Sequence, residues 1–422
     1  MEILDDYSLW DNISIFDIYD DGKQLWFASI EYNALFKVEK QNNSIDFVGC
    51  FPDEDLFGYR LYSSINEFDS KLYFTPCSAC EIGVYDMRKE RFEKINIGIL
   101  KSENNMAHIK YSKKFVSSFI LNNKLILMPC CYDKMIIYDL ITGEATFRDG
   151  LFDYFYNKYK DCIKSSDAQF YLCWFAKKIS KSVIVFNLHC NSNIIIFYNL
   201  ETDEFKEKRI GNYERSYSLI DFDGTYIFLY DEIVDVVVRF DIQRNEYKEC
   251  VIKNELEEFM PCGMNHSFVN MITFDNDLYL IPANTNITVK LDILTWKPAV
   301  ESTLSDECLL RQKCIAYMNL CRVFNNRLYL FANRSKSIIV YKREKELQHI
   351  KVKTTPLINM MIQKSHLLNQ LYSNNHIFDE NNICLQLFLD TIKEFKNPKR
   401  NFSILKENNQ IKNLGHKIYE SI

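Results

Sequence analysis

Short apolar runs alternate with short polar breaks along this chain, and the runs recur. KLYFTP from Lys71, KLILMP from Lys124, DLYLIP from Asp277 and RLYLFA from Arg327 share one pattern. QLWFAS from Gln24, SVIVFN from Ser182 and TYIFLY from Thr225 fit it more loosely. The first apolar residue of each is Leu25, Leu72, Leu125, Val183, Tyr226, Leu278 and Leu328, at spacings of 43 to 58 residues. Brief apolar runs bounded by turn formers predict strands, because a helix needs roughly ten or more residues at a 3.6 period. The breaks before the runs are Asp69-Ser70, Asn122-Asn123, Asp223-Gly224, Asp275-Asn276 and Asn325-Asn326, residue types that accept turn or left-handed backbone. After each run a polar loop leads into a second apolar strand that closes on an aromatic and an acid or amide. Examples are IGVYD to Asp86, MIIYD to Asp139, IIIFYN to Asn199 and VVVRFD to Asp241. A more polar strand follows, as in RFEKINI from Arg91 and EYKECVI from Glu246. Another strand lies upstream of the turn, as in SSINEF from Ser63 and SSFILN from Ser117.

Four strands in about 50 residues, repeated seven times, predict a β-propeller. Each small sheet buries its faces only against its neighbours, and closure into a ring protects the sheet edges. The expected fold is all-β: a seven-bladed β-propeller of four-stranded blades over residues 1–352, with the blades running from about Ile13 to Val352. No long helical period is expected between the strands, which argues against an α/β chain. Residues 353–422 read differently. Leu385, Phe388, Leu389, Ile392 and Phe395 share one helical face, and Ile411, Leu414, Ile418 and Ile422 share another. A short C-terminal α-helical tail, packed on or beside the propeller, is expected there.

In blade length and strand grammar the repeat resembles the kelch-like and WD-repeat propellers, over roughly 340 of the 422 residues. The resemblance is one of architecture. The chain has no Gly-Gly doublet closing a strand and no recurring Trp-Asp or Gly-His, so no functional residue of those families transfers to a position here. The sialidase-type Asp box, S-x-D-x-G-x-T-W, is also absent.

Composition narrows the function classes. The aromatic share of 14% suits pleated surfaces. A net charge of −6 supplies no electrostatic footprint for nucleic acid. MEILDDYSLW at the start has neither a basic nor an apolar signal region, and no apolar run approaches the roughly 18 residues of a membrane span. The 14 cysteines then read as reduced, mostly buried thiols, and a cytoplasmic protein without membrane or nucleic-acid partners is expected.

Candidate chemistry falls in the loops that join the second and third strands of a blade, and in those that join one blade to the next. In a propeller these share one face, and loops on a rigid scaffold commonly carry function. The candidates for ligand binding are Asn33, Arg60, Cys77, Cys80, His108, Cys130, Tyr132, His189, Arg215, His266, Asn284 and Asn333. Cys77-x-x-Cys80 has knuckle spacing, but zinc needs four converging ligands and no second such pair exists, so no metal is expected. Redox use of the pair would need a helix start to lower a thiol pKa. Phosphate-cradling glycine loops are missing, and no cofactor is expected. The expected function is a binding or scaffold protein that presents its loop face to a protein, peptide or carbohydrate-like ligand. The alternative is an enzyme acting on a peptide or glycan in a polar pocket at the channel mouth. The aromatic stretch GLFDYFYNKYKDCIKSSD from Gly150 favours a broad interaction patch, unless its rings pack down on the blades.

Overall fold

The polar breaks close hairpins as their residue types allow. In a computed structural model describing residues 13–54, 58–98, 113–160, 170–188, 192–252, 268–283, 285, 287–303, 318–332, 335–342 and 345–352, four breaks are left-handed at both residues. Their φ values are 50° and 61° at Asp69-Ser70, 49° and 60° at Asn122-Asn123, 50° and 69° at Asp275-Asn276, and 47° and 58° at Asn325-Asn326. Two left-handed residues are what a type I′ turn requires, and its twist matches the flanking strands. The three looser copies turn differently. Asp21, Ser180 and Asp223 each start a three-residue turn, and their side-chain oxygens accept the N–H groups two and three residues on.

Strand pairing corrects the repeat alignment in two of these three blades. Asp241 pairs with Tyr226 and Asn199 with Val183, just as Asp139 pairs with Lys124. The residues equivalent to Leu25, Leu72, Leu125, Leu278 and Leu328 are therefore Ile184 and Ile227, rather than Val183 and Tyr226. All seven are at most 2% exposed.

The described strands form seven four-stranded antiparallel sheets, each built from consecutive strands. We label the strands of a blade a to d, from the channel outwards. The innermost strands are Tyr19–Asp20, Tyr62–Phe68, Phe115–Leu121, Ala176–Lys178, Tyr217–Phe222, Phe268–Phe274 and Met318–Phe324. Strands b and c are apolar on both faces, as in Lys124–Pro129 and Val236–Asp241, while strand d is wetter, as in Glu246–Val251. This gradient follows from radial packing, which covers the middle strands from both sides. The acid or amide ending strand c has a local role. Asp86, Asp139, Asn199, Asp241 and Asp292 each accept backbone N–H groups two and three residues ahead, and so build the c–d turn. These hydrogen bonds, from Lys89, Thr142 and Thr295 above all, hold the Asp86, Asp139 and Asp292 carboxyls below the ordinary carboxylate range.

The apolar cores lie between blades. One joins Ile13, Ile15 and Phe27 of blade 1 to Tyr329, Phe331 and Ile338 of blade 7, so the ring is closed by packing. Polar contacts reinforce this seam. Arg322 donates to Asp17 at 2.5 Å, Lys336 Nζ to Ser14 Oγ at 2.9 Å, and Tyr329 to Asp20. No strand is shared across the seam among the described residues.

The aromatic stretch between blades 3 and 4 adds one short helix to the otherwise all-β described ring. Leu151–Tyr159 forms a helix that buries Leu151, Phe152, Phe155 and Tyr159 against both blades. Its rings pack down on the blades and do not form the broad exposed patch. The spacing of these four residues places them on one side of a short helix. Gly150 at φ 83° starts the helix from a left-handed position. The tail expected over residues 353–422 lies outside the described residues.

A candidate ligand site at the mouth of the central channel

Because strands a and b are joined by tight turns, the b–c loops and the blade-to-blade loops all leave at the opposite face. A cavity of about 800 Å³ runs down the ring axis, lined by the innermost strands of blades 2 to 7, by Phe16 and Asp17 just before that of blade 1, and by residues of the loop face. Apolar and polar side chains share its wall, and the polar ones are braced from blade to blade. Ser64 and Asn66 of blade 2 bond Ser118 of blade 3 at 2.7 and 2.6 Å. Asp17 accepts the N–H of Ile65 at 2.7 Å, and Asp221 accepts that of Thr273 at 2.6 Å. Both carboxylates are also ion-paired, Asp17 with Arg322 and Asp221 with Lys177 at 2.7 Å. Burial pushes the Asp17 carboxyl up, and Arg322 offsets part of this.

The expected site residues divide sharply by environment. Asn33 is 1% exposed; its side chain bonds Phe51 N, Phe51 O and Glu54 O at 2.8–2.9 Å, tethering two loops. Cys77 and Cys130 are buried. Burial pushes the Cys77 thiol up to about 12 and the Cys130 thiol well above its usual value, so neither is a thiolate nucleophile near neutrality. Cys80 is half-buried, and its N–H donates to Glu54 at 3.2 Å. Tyr132 packs on Phe115, the ring centroids 5.0 Å apart. No three His, Cys, Asp or Glu side chains among the described residues are grouped to hold a metal. His108, His189, His266, Asn284 and Asn333 lie outside the described residues.

Arg60 lines the channel mouth. Its backbone is left-handed, φ 58°, and is pinned on both sides: its N–H donates to Ile30 O at 2.6 Å, and its carbonyl accepts from Ser78 N at 3.0 Å. The guanidinium lies 4.9 Å from the Tyr59 ring and 5.6 Å from the Phe16 ring. Lys113 lines the same mouth, its ammonium 4.4 Å from the Trp174 ring and 4.7 Å from Tyr171. Burial, and then the charge of Arg60, push the Lys113 pKa down. Lys113 and Trp174 escaped the sequence reading, yet a positional signal for them exists. Arg60, Lys113, Trp174 and Arg215 each stand two residues before strand a of their blades, and so does His266 in the sequence. Arg215 contrasts with the first two: it pairs with Glu249 at 2.7 Å and Asp231 at 3.7 Å.

The rim of the same face exposes apolar and aromatic side chains. Tyr213, Ile233 and Val234 border blade 5, and Tyr59 stands beside Arg60. Tyr213 is 83% exposed, with the Arg209 guanidinium 4.6 Å from its ring.

No protein-family model matches the chain, and no curated protein matches it. Solved structures do resemble it. A catalytically inactive variant of virginiamycin B lyase from Staphylococcus aureus, with quinupristin, aligns at TM-score 0.54 and 10% identity over 79% of this chain and 94% of that one. Hydrazine synthase of Kuenenia stuttgartiensis aligns at TM-score 0.52 and 13% identity over 81% and 99%. A streptogramin B lyase aligns at TM-score 0.50 and 11% identity over 76% and 92%. At such identities the likeness is one of fold: this chain is a seven-bladed β-propeller. No described helix is long and apolar enough to cross a membrane.

Proposed function

We propose that this propeller is a binding protein that holds a protein or peptide segment across its loop face, with the channel mouth at the centre of the footprint. The observation that carries this reading is the exposed group Tyr213, Ile233 and Val234 on the rim around blade 5. Interfaces are enriched in aromatic residues, and apolar side chains gathered at one place on a surface commonly mark contact sites. Exposed apolar residues of the opposite face, Ile141 and Leu294, stand singly in separate c–d turns, which is ordinary for a protein surface.

An enzymatic reading finds less support among the described residues. Catalysis needs a titratable group left available to a substrate. Here the channel carboxylates Asp17 and Asp221 are ion-paired and bonded to backbone, and burial raises the pKa of the Cys77 and Cys130 thiols. The likeness to a lyase is carried by the fold and not by matched residues.

The test is selection of binding segments from a displayed peptide library, followed by affinity measurement with variants of each face. Tyr213→Ala and Ile233→Ser should weaken the selected segments at least about tenfold, as contact residues of an interface do. Asn122→Gly and Asn325→Gly, which keep the left-handed turns, should leave affinity unchanged. Loss of binding confined to the turn-face variants, with all four proteins folded, would overturn the reading.

A further inference from the structure

Arg60 and Lys113 are two cations at one cavity mouth, and neither forms an ion pair with a carboxylate among the described residues. The buried Arg60 Nε has no hydrogen-bond partner among the described residues. Among the described residues the Lys113 ammonium makes one hydrogen bond, a long one of 3.5 Å to Tyr171 Oη. This is not a general habit of the fold. The cation at the same repeat position in blade 5, Arg215, is neutralised by Glu249 and Asp231. The channel cations Lys177 and Arg322 likewise have Asp221 and Asp17. Glu232 also lines the cavity, from the b–c loop of blade 5. Two like charges held close while partly desolvated repel one another, and an arriving anion relieves that repulsion.

The surrounding structure holds both groups in place. Arg60 is fixed by its two backbone hydrogen bonds, and the Lys113 carbonyl accepts from both N and Sγ of Cys131, at 3.1 and 3.2 Å. Aromatic rings flank both charged heads, Tyr59 and Phe16 for Arg60 and Trp174 and Tyr171 for Lys113. Rings orient a cation without neutralising it, so its charge remains available to an oxyanion.

We infer that Arg60 and Lys113 form an oxyanion subsite at the channel mouth, which takes a carboxylate or phosphate group of the ligand. The inference deepens the loop-face reading and rests on it for the identity of the ligand as a protein or peptide segment. Arg60 supplies Nε and the neighbouring guanidinium N–H groups as a planar fork, and Lys113 supplies a point charge from the next blade.

Calorimetry at low ionic strength, where charge interactions are least screened, tests this with three probes: inorganic phosphate, a Glu-rich decapeptide and its Gln counterpart. The folded wild-type chain should bind phosphate or the Glu peptide and discriminate against the Gln peptide. Arg60→Gln and Lys113→Met should each weaken the anion at least about tenfold, as loss of a charge-assisted bond does. Which probe binds separates a free phosphate-like anion from a peptide carboxylate. Lys113→Met, which keeps the packed stem and removes the repulsion, should melt no lower than the wild type in the absence of ligand. Failure of the wild type to bind either anion, or wild-type anion affinity in both variants, overturns the subsite. If Tyr213→Ala loses the selected segments while Arg60→Gln keeps them, the subsite falls and the loop-face reading stands. If phosphate binding depends on Arg60 while Tyr213→Ala changes nothing, the loop-face patch falls and the subsite stands.

Discussion

The two faces of this ring solve the same problem, connecting antiparallel strands, in opposite ways. On the turn face the a–b turns are two or three residues long and the c–d turns mostly four or five, and the turn-forming side chains bond backbone groups two and three residues on. Asp139 Oδ1 takes the N–H groups of Ile141 and Thr142, and Asn122-Asn123 reverse the chain in the left-handed region. On the loop face the polar partners come from far along the chain. Lys114 Nζ donates to Ser78 O and Ala79 O at 2.9 and 2.7 Å, and Asn33 ties down the segment after strand d. At Arg60 and Lys113 no carboxylate partner arrives from the described residues. The lesson is that local satisfaction makes a face structurally complete, whereas long-range satisfaction leaves residues that a ligand can complete.

The largest effect should come from damage to the scaffold that both faces share. Leu125 is fully buried on strand b of blade 3. Leu125→Ala should cost about 2–5 kcal/mol, read as a shift in the urea midpoint, while Leu125→Asp buries an unpaired charge and should abolish folding. Next comes the seam between blades 7 and 1. Arg322→Ala strands the buried Asp17 carboxylate and should cost about 2–3 kcal/mol, below the usual penalty for a fully buried pair because Arg322 is 32% exposed. Equilibrium unfolding that matches the wild type would show that packing alone closes the ring.

A finer cut separates turn chemistry from site chemistry. Asn122→Ala places a β-carbon in a left-handed position, φ 49°, and should cost about 1 kcal/mol, which Asn122→Gly should avoid. Thermal melts of the two variants measure this difference, and equal stabilities would remove the assigned turn strain. The smallest effect concerns pH. Asp86, Asp139 and Asp292 have folded pKa values below their unfolded ones, near 3.9. Their stabilising effect is therefore complete above that unfolded value and is lost as pH falls through the lower folded values. Replacing all three by Asn keeps the acceptor oxygen and should flatten the acid limb of the stability profile. An unchanged acid limb would mean that other carboxylates set it.

Much of the ring was legible because its signals are local. The grammar of run, turn and acid-ended strand follows from strand period and turn stereochemistry, which depend on residues a few positions apart. The alignment slipped by one residue in blades 4 and 5 because the first strand position there is itself apolar, Val183 and Tyr226, where other blades carry a polar residue, and only strand pairing reveals that Ile184 and Ile227 occupy the buried slot. The helix Leu151–Tyr159 was legible only as an aromatic stretch, because what stabilises so short a helix is the core of blades 3 and 4 beneath it. At the candidate site, Arg60 was picked out by its loop, while Lys113 and Trp174 share its repeat position without any distinguishing neighbour in sequence.

By itself, then, the sequence determined the seven blades, their turns and the face on which long loops gather, since strand period and left-handed turn preference act within a few residues. The tertiary structure decided which charges are neutralised. Arg60, Lys113 and Arg215 are alike in position before strand a, and nothing nearby in the chain tells them apart. Strand pairing within blade 5 brings Asp231 and Glu249 to Arg215, whereas packing between blades sets Arg60 beside Lys113 with no such partner among the described residues, because a charge is compensated by whatever folding places within a few ångströms of it.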